Sequence, residues 1–342
     1  MPLFMDIASD SVNKVNEELC GDNVEIRIND ESIIVVLADG LGSGVKANIL
    51  STLTSTIAAT MLEEKMTIQD VLETLEATLP ECQVRKLAYS TFTIVQIFRN
   101  RMAYIVEFDN PPLVFIRDGE VLGWEWDEAA DYVLARTYED KRAKEISMAL
   151  IDTCYQLYGE KPGDDTTVAV IRAEERKYLT IFTGPPLDQS RDSEIKKLLD
   201  LAKGKKIVCG GTAGNIVARE YDEEIKIDLS TMSEQVPPIG RMKSIDLVTE
   251  GVLTIQETVR LIESYLNNEV GSEIFRDKNA AAILANYLIN ESTNIDIIMG
   301  NSINPAHQNP DFPEALSSKW RITQKLISLL EKFNKDIHII YI

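Results

Sequence analysis

The sequence has few histidines, no paired cysteines and no long apolar run. Its 342 residues include only 2 histidines and 4 cysteines. Cys20, Cys82, Cys154 and Cys209 have no paired spacing, so we interpret them as reduced, mostly buried thiols rather than a disulfide or metal framework. No apolar stretch approaches the ~18 residues that span a membrane, and the N-terminus has no basic segment followed by an apolar core. These absences predict a cytoplasmic protein without a membrane partner.

Basic charge is also scarce. The chain has 35 Lys and Arg against 55 Asp and Glu, a net charge of −20. Nucleic acid is therefore excluded as a partner, since phosphate backbones require a basic footprint. Hydrophobic residues make up 44% and charged residues 26% of the chain, which is typical of a globular protein. The length suits two domains of roughly 100–200 residues each.

An unbroken apolar run, residues 33–38, ends in Asp39-Gly40-Leu41-Gly42-Ser43-Gly44. The run is short, β-branched and bounded by glycines, which is typical of a strand buried on both faces. The motif therefore places a carboxylate at the end of a buried strand, where it needs a cation or hydrogen-bond donors. Taken alone, the same motif also fits an ordinary strand-to-helix turn whose aspartate caps the helix.

Two further acidic turns flank predicted strands. Gly21-Asp22 precedes an alternating segment, residues 24–28, which we predict to form a hairpin with residues 33–38 through Asn29-Asp30. That hairpin brings Asp22 and Asp39 to the same end of the sheet. Gly163-Asp164-Asp165-Thr166-Thr167 starts a third strand. Carboxylates and backbone carbonyls at sheet ends suit Mg²⁺ or Mn²⁺, whereas neither histidine lies near them to favour zinc.

These three motifs, in this order, resemble those of the metal-dependent phosphatases of the protein phosphatase 2C type, in the branch of the stage II sporulation protein E phosphatases. The resemblance covers about residues 5–173 and includes a helix at 45–65, a hairpin at 89–106 and the turn and strand at 110–119. It implies an α-β-β-α sandwich of two antiparallel sheets flanked by helices. We accordingly expect a phosphatase 2C-like domain at residues 1–175.

The resemblance also implies the chemistry and the ligands. Two Mn²⁺ or Mg²⁺ ions would activate a water molecule that attacks a phosphoserine or phosphothreonine. Asp39 would bridge both ions, and the ligands are expected to be Asp22, Asp39, the Gly40 carbonyl and Asp164, with Asp165 a weaker candidate. A basic side chain, Lys14 or Lys46, could also stabilise the negative charge on the phosphoryl oxygens in the transition state. Either lysine also fits a solvated position on the surface.

One expected motif is missing. Relatives carry a Ser/Thr-Asp-Gly turn between the central hairpin and the final Gly-Asp-Asp, and its aspartate completes a metal site. Here residues 119–126 contain no such motif. Either the ligand has been lost, or a segment between Leu122 and Gly123 is missing from this sequence, in which case their Cα atoms should lie farther apart than about 3.8 Å. A similar motif at residues 245–251 comes after the final acidic pair, and we interpret it as an unrelated strand-to-helix turn.

The second half, residues 176–342, alternates predicted strands and helices. This pattern predicts a second α/β domain with a largely parallel sheet and an unknown role, regulatory or in ligand or substrate docking. A glycine-rich turn at 210–214 presents N–H groups at a helix start, so Gly211, Thr212 and Asn215 are candidate anion or nucleotide contacts, although a tight structural turn explains them equally well. His307 is a further candidate contact.

Two function classes stay open on the sequence. The first is a phosphoprotein phosphatase of bacterial signalling, which would make the partner a phosphorylated protein; the branch resemblance suggests small regulators such as anti-sigma-factor antagonists. The second is a catalytically weak relative that acts as a sensor or scaffold through its second domain. A homodimer is compatible with either.

Overall fold

The computed structural model describes residues 3–79, 90–117, 120–122, 131, 133, 141–300 and 314–342. The chain forms two compact units, Met1–Glu174 and Glu175–Ile342. Within the described residues, no helix is both long enough and apolar enough to cross a membrane.

The first unit contains eight of the described strands and three of the described helices. The strands are β1 (Phe4–Val12), β2 (Asp22–Ile28), β3 (Ser32–Gly40), β4 (Ser90–Phe98), β5 (Ala103–Phe108), β6 (Phe115–Arg117), β7 (Glu120–Leu122) and β8 (Thr166–Glu174). The helices are α1 (Gly44–Glu63), α2 (Ile68–Thr78) and α3 (Ala143–Leu157). Strands β2-β3-β4-β5 form an antiparallel sheet, β1 pairs antiparallel with β8, and β6 pairs with β7.

Strand β3 is buried on both faces, as its apolar run predicts. Ile34 and Val36 pack with α1 and α2 in one core cluster, whereas Val35 packs with Met5 and Ile7 of β1 in another. Helix α3 contacts β1 and β8, and it is bonded to Asp6, which alternates with Met5 and Ile7 along β1 and so lies on the opposite face. The order of layers is helix, sheet, sheet, helix, which confirms the predicted α-β-β-α sandwich.

A buried ion pair fixes the third helix to the first strand. The Arg142 Nη2 atom donates to Asp6 Oδ1 at 2.6 Å, and the two side chains are only 6% and 5% exposed. The Ala143 N–H donates to Asp6 Oδ2 at 2.9 Å, so one carboxylate also satisfies the first turn of α3. Breaking such a pair leaves an uncompensated buried charge, so β1 and α3 are held together strongly.

The second unit is an α/β fold around one seven-stranded sheet. Its strands are β9 (Tyr178–Thr183), β10 (Lys205–Cys209), β11 (Lys226–Asp228), β12 (Ile239–Arg241), β13 (Leu247–Thr249), β14 (Asn294–Met299) and β15 (Asp336–Tyr341). Its described helices are α4 (Asp192–Leu201), α5 (Gly211–Tyr221), α6 (Val252–Leu266), α7 (Ala280–Ile289) and α8 (Glu314–Glu331). Two core clusters pack this sheet against its helices.

The strand order of this sheet is β11-β12-β13-β10-β9-β14-β15. Five neighbouring strands of this order are parallel, which confirms the largely parallel sheet predicted from the sequence; they are β13, β10, β9, β14 and β15. Strands β11 and β12 add an antiparallel edge that the sequence analysis did not anticipate. They are only three residues long, so they carry too little alternation to be recognised as strands.

Candidate metal centre

The β2–β3 hairpin pairs two aspartates at one end of the sheet. Asp22 opens β2 and lies directly opposite Asp39 of β3 in the antiparallel register. The two carboxyl groups are close enough to share a hydrogen bond. The Thr167 side chain of β8 lies close enough to Asp22 to lower the pKa of its carboxyl group, so the end of the second sheet reaches the same point.

Two glycines let the surrounding backbone close around these aspartates. A Cβ atom on Gly40 would lie 2.0 Å from the Ala47 carbonyl oxygen of α1, so only glycine allows the helix to approach the end of β3 this closely. A Cβ atom on Gly21 would lie 2.9 Å from Asp165 Oδ2 and 3.0 Å from the Ala47 Cβ. The Gly40 N–H donates to the Gly21 carbonyl at 3.1 Å and fixes this packing.

Asp164 and Asp165 reach the same place from the turn before β8. Asp165 Oδ1 accepts a hydrogen bond of 2.9 Å from the backbone N–H of Lys14 in the loop between β1 and β2. Its second oxygen, Oδ2, is buried and has no hydrogen-bond partner. Asp164 is exposed and accepts a hydrogen bond from the Asp165 N–H at 3.1 Å. A buried carboxylate oxygen without a donor is costly unless a cation satisfies it.

These residues face one cavity of about 450 Å³ in the first unit. Its wall contains five carboxylates and one basic side chain, together with small residues from the turns after β3 and at the start of β4; the residues are Lys14, Asp22, Asp39, Leu41, Gly42, Ser43, Ser90, Thr91, Asp109, Asp164 and Asp165. Four of the predicted ligand side chains, those of Asp22, Asp39, Asp164 and Asp165, are therefore brought together here.

Burial and the neighbouring carboxylates make Asp39 and Asp22 hard to ionise. Burial, followed by the charges of Asp22, Asp164 and Asp165, raises the pKa of Asp39 to about 7. Burial, followed by the charge of Asp165, also raises the pKa of Asp22. Asp39 nevertheless reaches solvent at the cavity mouth, so water screens part of this repulsion. A divalent cation would oppose both effects, because it favours the ionised form.

The donor set fits a hard divalent cation. All four side chains offer carboxylate oxygen, the donor that Mg²⁺ and Mn²⁺ prefer, and the unpartnered Asp165 Oδ2 leaves one such donor without another role. In the part of the chain that the structure describes, however, no three His, Cys, Asp or Glu side chains converge closely enough to hold an ion. The carboxylates thus line one cavity without meeting at one point, and ion binding would require side-chain rotations.

Asp109 is a cavity residue that sequence analysis missed. It follows β5 and adopts a left-handed backbone conformation, φ 55°, which aspartate and asparagine tolerate better than other side chains. The next residue, Asn110, hydrogen-bonds the hydroxyl groups of Thr91 and Thr93 on β4 and so fixes this turn. The signal that could have found it is the Asp-Asn-Pro-Pro turn directly after a strand.

The remaining predicted residues lie elsewhere. Gly211, Thr212 and Asn215 occupy the exposed first turns of α5 in the second unit, directly after β10, and their role as ligand contacts stays a prediction. His307 lies outside the described residues, as does Gly123, so the Leu122–Gly123 separation is not tested. Asp246, in the motif at residues 245–251, accepts hydrogen bonds from Lys205 and Lys206 within the second unit, which fits a structural role.

Comparison with known proteins gives one family match and several distant structural likenesses. The family model for stage II sporulation protein E (SpoIIE) matches residues 29–123. No curated protein matches the chain significantly. Among solved structures, the PP2C phosphatase domain of Bacillus subtilis SpoIIE with a fragment of its regulatory domain is 16% identical, with a TM-score of 0.38. The match covers 51% of this chain and 64% of that one, so the chain spans less than two thirds of that relative.

Two further structures are similar at the same distant level. The RsbU and RsbW domains of a Mycobacterium tuberculosis protein are 15% identical over 58% of this chain and 70% of that one, with a TM-score of 0.43. RsbX in complex with magnesium is 15% identical over 50% of this chain and 96% of that one, with a TM-score of 0.33. The matched segment, residues 29–123, contains Asp39 at the end of β3 together with β4 and β5, and it is similar to the stage II sporulation protein E family.

Proposed function

We propose that the chain is a metal-dependent phosphoprotein phosphatase that hydrolyses phosphoserine or phosphothreonine in bacterial signalling. The observation that supports this most directly is that Asp22, Asp39, Asp164 and Asp165 line one cavity, with Asp39 inside the segment that matches the family model. A cavity walled by carboxylates cannot bind a phosphate dianion by itself, because like charges repel. It becomes a phosphate site only when cations occupy it.

Each carboxylate has a distinct proposed role. Asp39 would be the ligand shared by two Mn²⁺ or Mg²⁺ ions, and Asp22, its cross-strand partner, would help to hold them. The Gly40 carbonyl and Asp164 are the other proposed ligands. Asp165 uses one oxygen to hold the Lys14 backbone, which leaves Oδ2 as its free donor. When bound, the ions supply a water molecule of lowered pKa and neutralise the phosphoryl oxygens.

Lys14 is the proposed basic contact for the phosphoryl group. Lys14 lines the cavity, and its backbone N–H donates a hydrogen bond to Asp165, which holds the backbone of Lys14 in place at the cavity wall. Lys46, the other lysine considered from sequence, lies on the exposed face of α1 and is not among the cavity residues. A lysine beside the cations would attract the phosphate dianion and help hold it for in-line attack.

The second unit is proposed to regulate the phosphatase or to dock a ligand or substrate. The exposed first turns of α5, with Gly211, Thr212 and Asn215, are the proposed contact for an anionic or nucleotide-like ligand. The partner of the whole chain would be a phosphorylated protein, and a homodimer is compatible with this proposal. The alternative, a catalytically weak sensor or scaffold whose second domain binds a ligand or partner protein, is not favoured by the family match.

Hydrolysis of p-nitrophenyl phosphate by the full chain tests the proposal. We expect turnover with Mn²⁺ or Mg²⁺, loss of turnover with a chelator, and recovery when the metal is restored. Asp39→Asn should lower the rate by at least 100-fold, because it removes charge from the shared ligand while keeping its size. Asp30→Asn, at the opposite end of the same hairpin, is the matched control and should be fully active. Turnover that survives exhaustive chelation would overturn the proposal, and metal binding without any turnover would favour the scaffold.

A further inference from the structure

Helix α1 has an outward face with almost no charge. From Gly44 to Leu62 its only charged residue is Lys46, although the whole chain has a net charge of −20. An exposed helix normally carries charged residues on its solvent side, which keep it soluble. The composition of α1 therefore indicates that its outer face contacts something other than water for part of the time.

Three apolar side chains form a stripe along this face. Val45 is 60% exposed, Ile49 is 52% exposed and Leu53 is 49% exposed. They are spaced four residues apart, so they lie one above the other on the same side of the helix. The opposite side is buried through Ala47 and Thr54. The N-terminal half of α1 thus has small side chains on its inner side and an apolar row on its outer side.

The neighbouring helix α2 leaves this stripe uncovered. In the core cluster of the first unit, Val71 and Leu75 of α2 pack with Ala58, Ala59 and Leu62, which belong to the C-terminal half of α1. The stripe lies in the other half of the helix and keeps about half of each side chain accessible to solvent. An exposed apolar row of this kind marks an interaction surface more often than an isolated exposed residue does.

The stripe begins at the rim of the carboxylate cavity. Gly42 and Ser43 line the cavity, and Val45 follows two residues later at the start of α1. At 1.5 Å per residue, Ile49 lies about 9 Å and Leu53 about 15 Å along the helix axis from Ser43. A molecule that places one group in the cavity can therefore reach the stripe with a segment of three to five extended residues, at about 3.3–3.6 Å per residue.

We propose that the Val45–Ile49–Leu53 stripe docks the apolar flank of the phosphoprotein segment whose phosphorylated residue enters the cavity. The inference rests on the proposed function and adds a substrate class: segments with apolar side chains three to five residues from the phosphorylated one. A second copy of the chain is a poorer occupant, since three half-exposed side chains cover much less than the about 800 Å² per partner of a stable interface. A transient substrate contact needs far less area.

Charge supports the same occupant. The first unit presents acidic groups around the cavity, so a partner rich in carboxylates would be repelled there. The stripe offers the approaching segment a neutral path that ends beside Lys46, the one cation of this helix face. Apolar side chains next to a single phosphate fit this path, because they avoid repulsion and leave the phosphate as the only anion that enters.

Two fluorescent phosphothreonine peptides test the proposal on the full chain. One carries leucines at positions three to five on both sides of the phosphothreonine, and the other carries glutamines at the same positions. Fluorescence anisotropy in the presence of Mn²⁺ gives the affinities, and phosphate release gives kcat/KM. We expect the leucine peptide to bind at least 10-fold more tightly. The double variant Ile49→Gln, Leu53→Gln should abolish this preference and leave p-nitrophenyl phosphate hydrolysis unchanged.

Controls separate this proposal from the proposed function. Thr60→Gln, at an exposed position of the same helix but outside the stripe, should keep the preference, and unchanged thermal midpoints will show that the variants are folded. Equal affinities of the two peptides for the unaltered chain, or a preference that survives the double variant, would overturn the docking surface. The unaltered chain could bind the leucine peptide more tightly, lose this preference in the double variant, and still hydrolyse neither the peptides nor p-nitrophenyl phosphate. That result would support the docking surface and refute the phosphatase.

Discussion

Replacing Asp39 with asparagine should stabilise the metal-free protein. In the folded chain the pKa of Asp39 is raised from 3.8 to about 7, chiefly by burial and then by Asp22, Asp164 and Asp165. Between those two pH values the folded state keeps a proton that the unfolded state has released. The free energy of unfolding therefore falls as the pH rises through this window. Asparagine does not ionise, so the stability of the variant does not fall in this pH range for this reason.

The size of the effect follows from the same shift. At 1.36 kcal/mol per pH unit, a pKa raised from 3.8 to about 7 corresponds to at most about 4 kcal/mol above pH 7. Asp39 reaches solvent, so screening reduces this to about 1–2 kcal/mol. For a unit of this size, that stabilisation corresponds to a rise of about 3–6 °C in the thermal midpoint.

Scanning calorimetry of the full chain with chelator, at pH 4 and pH 8, measures the effect. We expect the thermal midpoint of Asp39→Asn to be higher than that of the unaltered protein at pH 8 and nearly equal to it at pH 4. Saturating Mn²⁺ should reverse the order at pH 8, because a metal that binds only the folded state stabilises the chain with the intact ligand more. A variant that is less stable than the unaltered chain at pH 8 without metal would refute the argument that the carboxylates repel one another.

Three further substitutions test individual parts of the site. Lys14→Gln should lower kcat/KM for p-nitrophenyl phosphate about 10-fold while Lys46→Gln leaves it unchanged, since only the first lysine lines the cavity; equal effects would contradict the assignment. Asp109→Asn should weaken Mn²⁺ binding, measured by titration calorimetry, by about 3-fold to 10-fold, because it removes a carboxylate from the cavity wall; an unchanged affinity would place Asp109 outside the ion site. Gly40→Ala should lower the free energy of unfolding, measured with urea, by about 3 kcal/mol, because its Cβ would collide with the Ala47 carbonyl; a stable variant would show that α1 can move away.

Local sequence patterns predict the features that depend on neighbouring residues. The apolar run before Asp39 predicts a strand buried on both faces, and the short turn at residues 29–31 leaves only one register for the hairpin that pairs Asp22 with Asp39. The alternation of strands and helices in the second half predicts its largely parallel sheet. Each of these follows from periodicity and turn chemistry within a few residues, where the chain has little conformational choice.

Long-range packing fixes the features that join distant parts of the chain. Strand β1 pairs with β8 across about 160 residues, and this pairing puts the Lys14 backbone on Asp165 and leaves Asp165 Oδ2 without a partner. The presence of Lys14 rather than Lys46 in the cavity wall, and the place of Asp109 there, depend on the same long-range packing. Local patterns contain no information about such contacts, because the energy that fixes them comes from burying whole sheets and helices against each other rather than from any single motif.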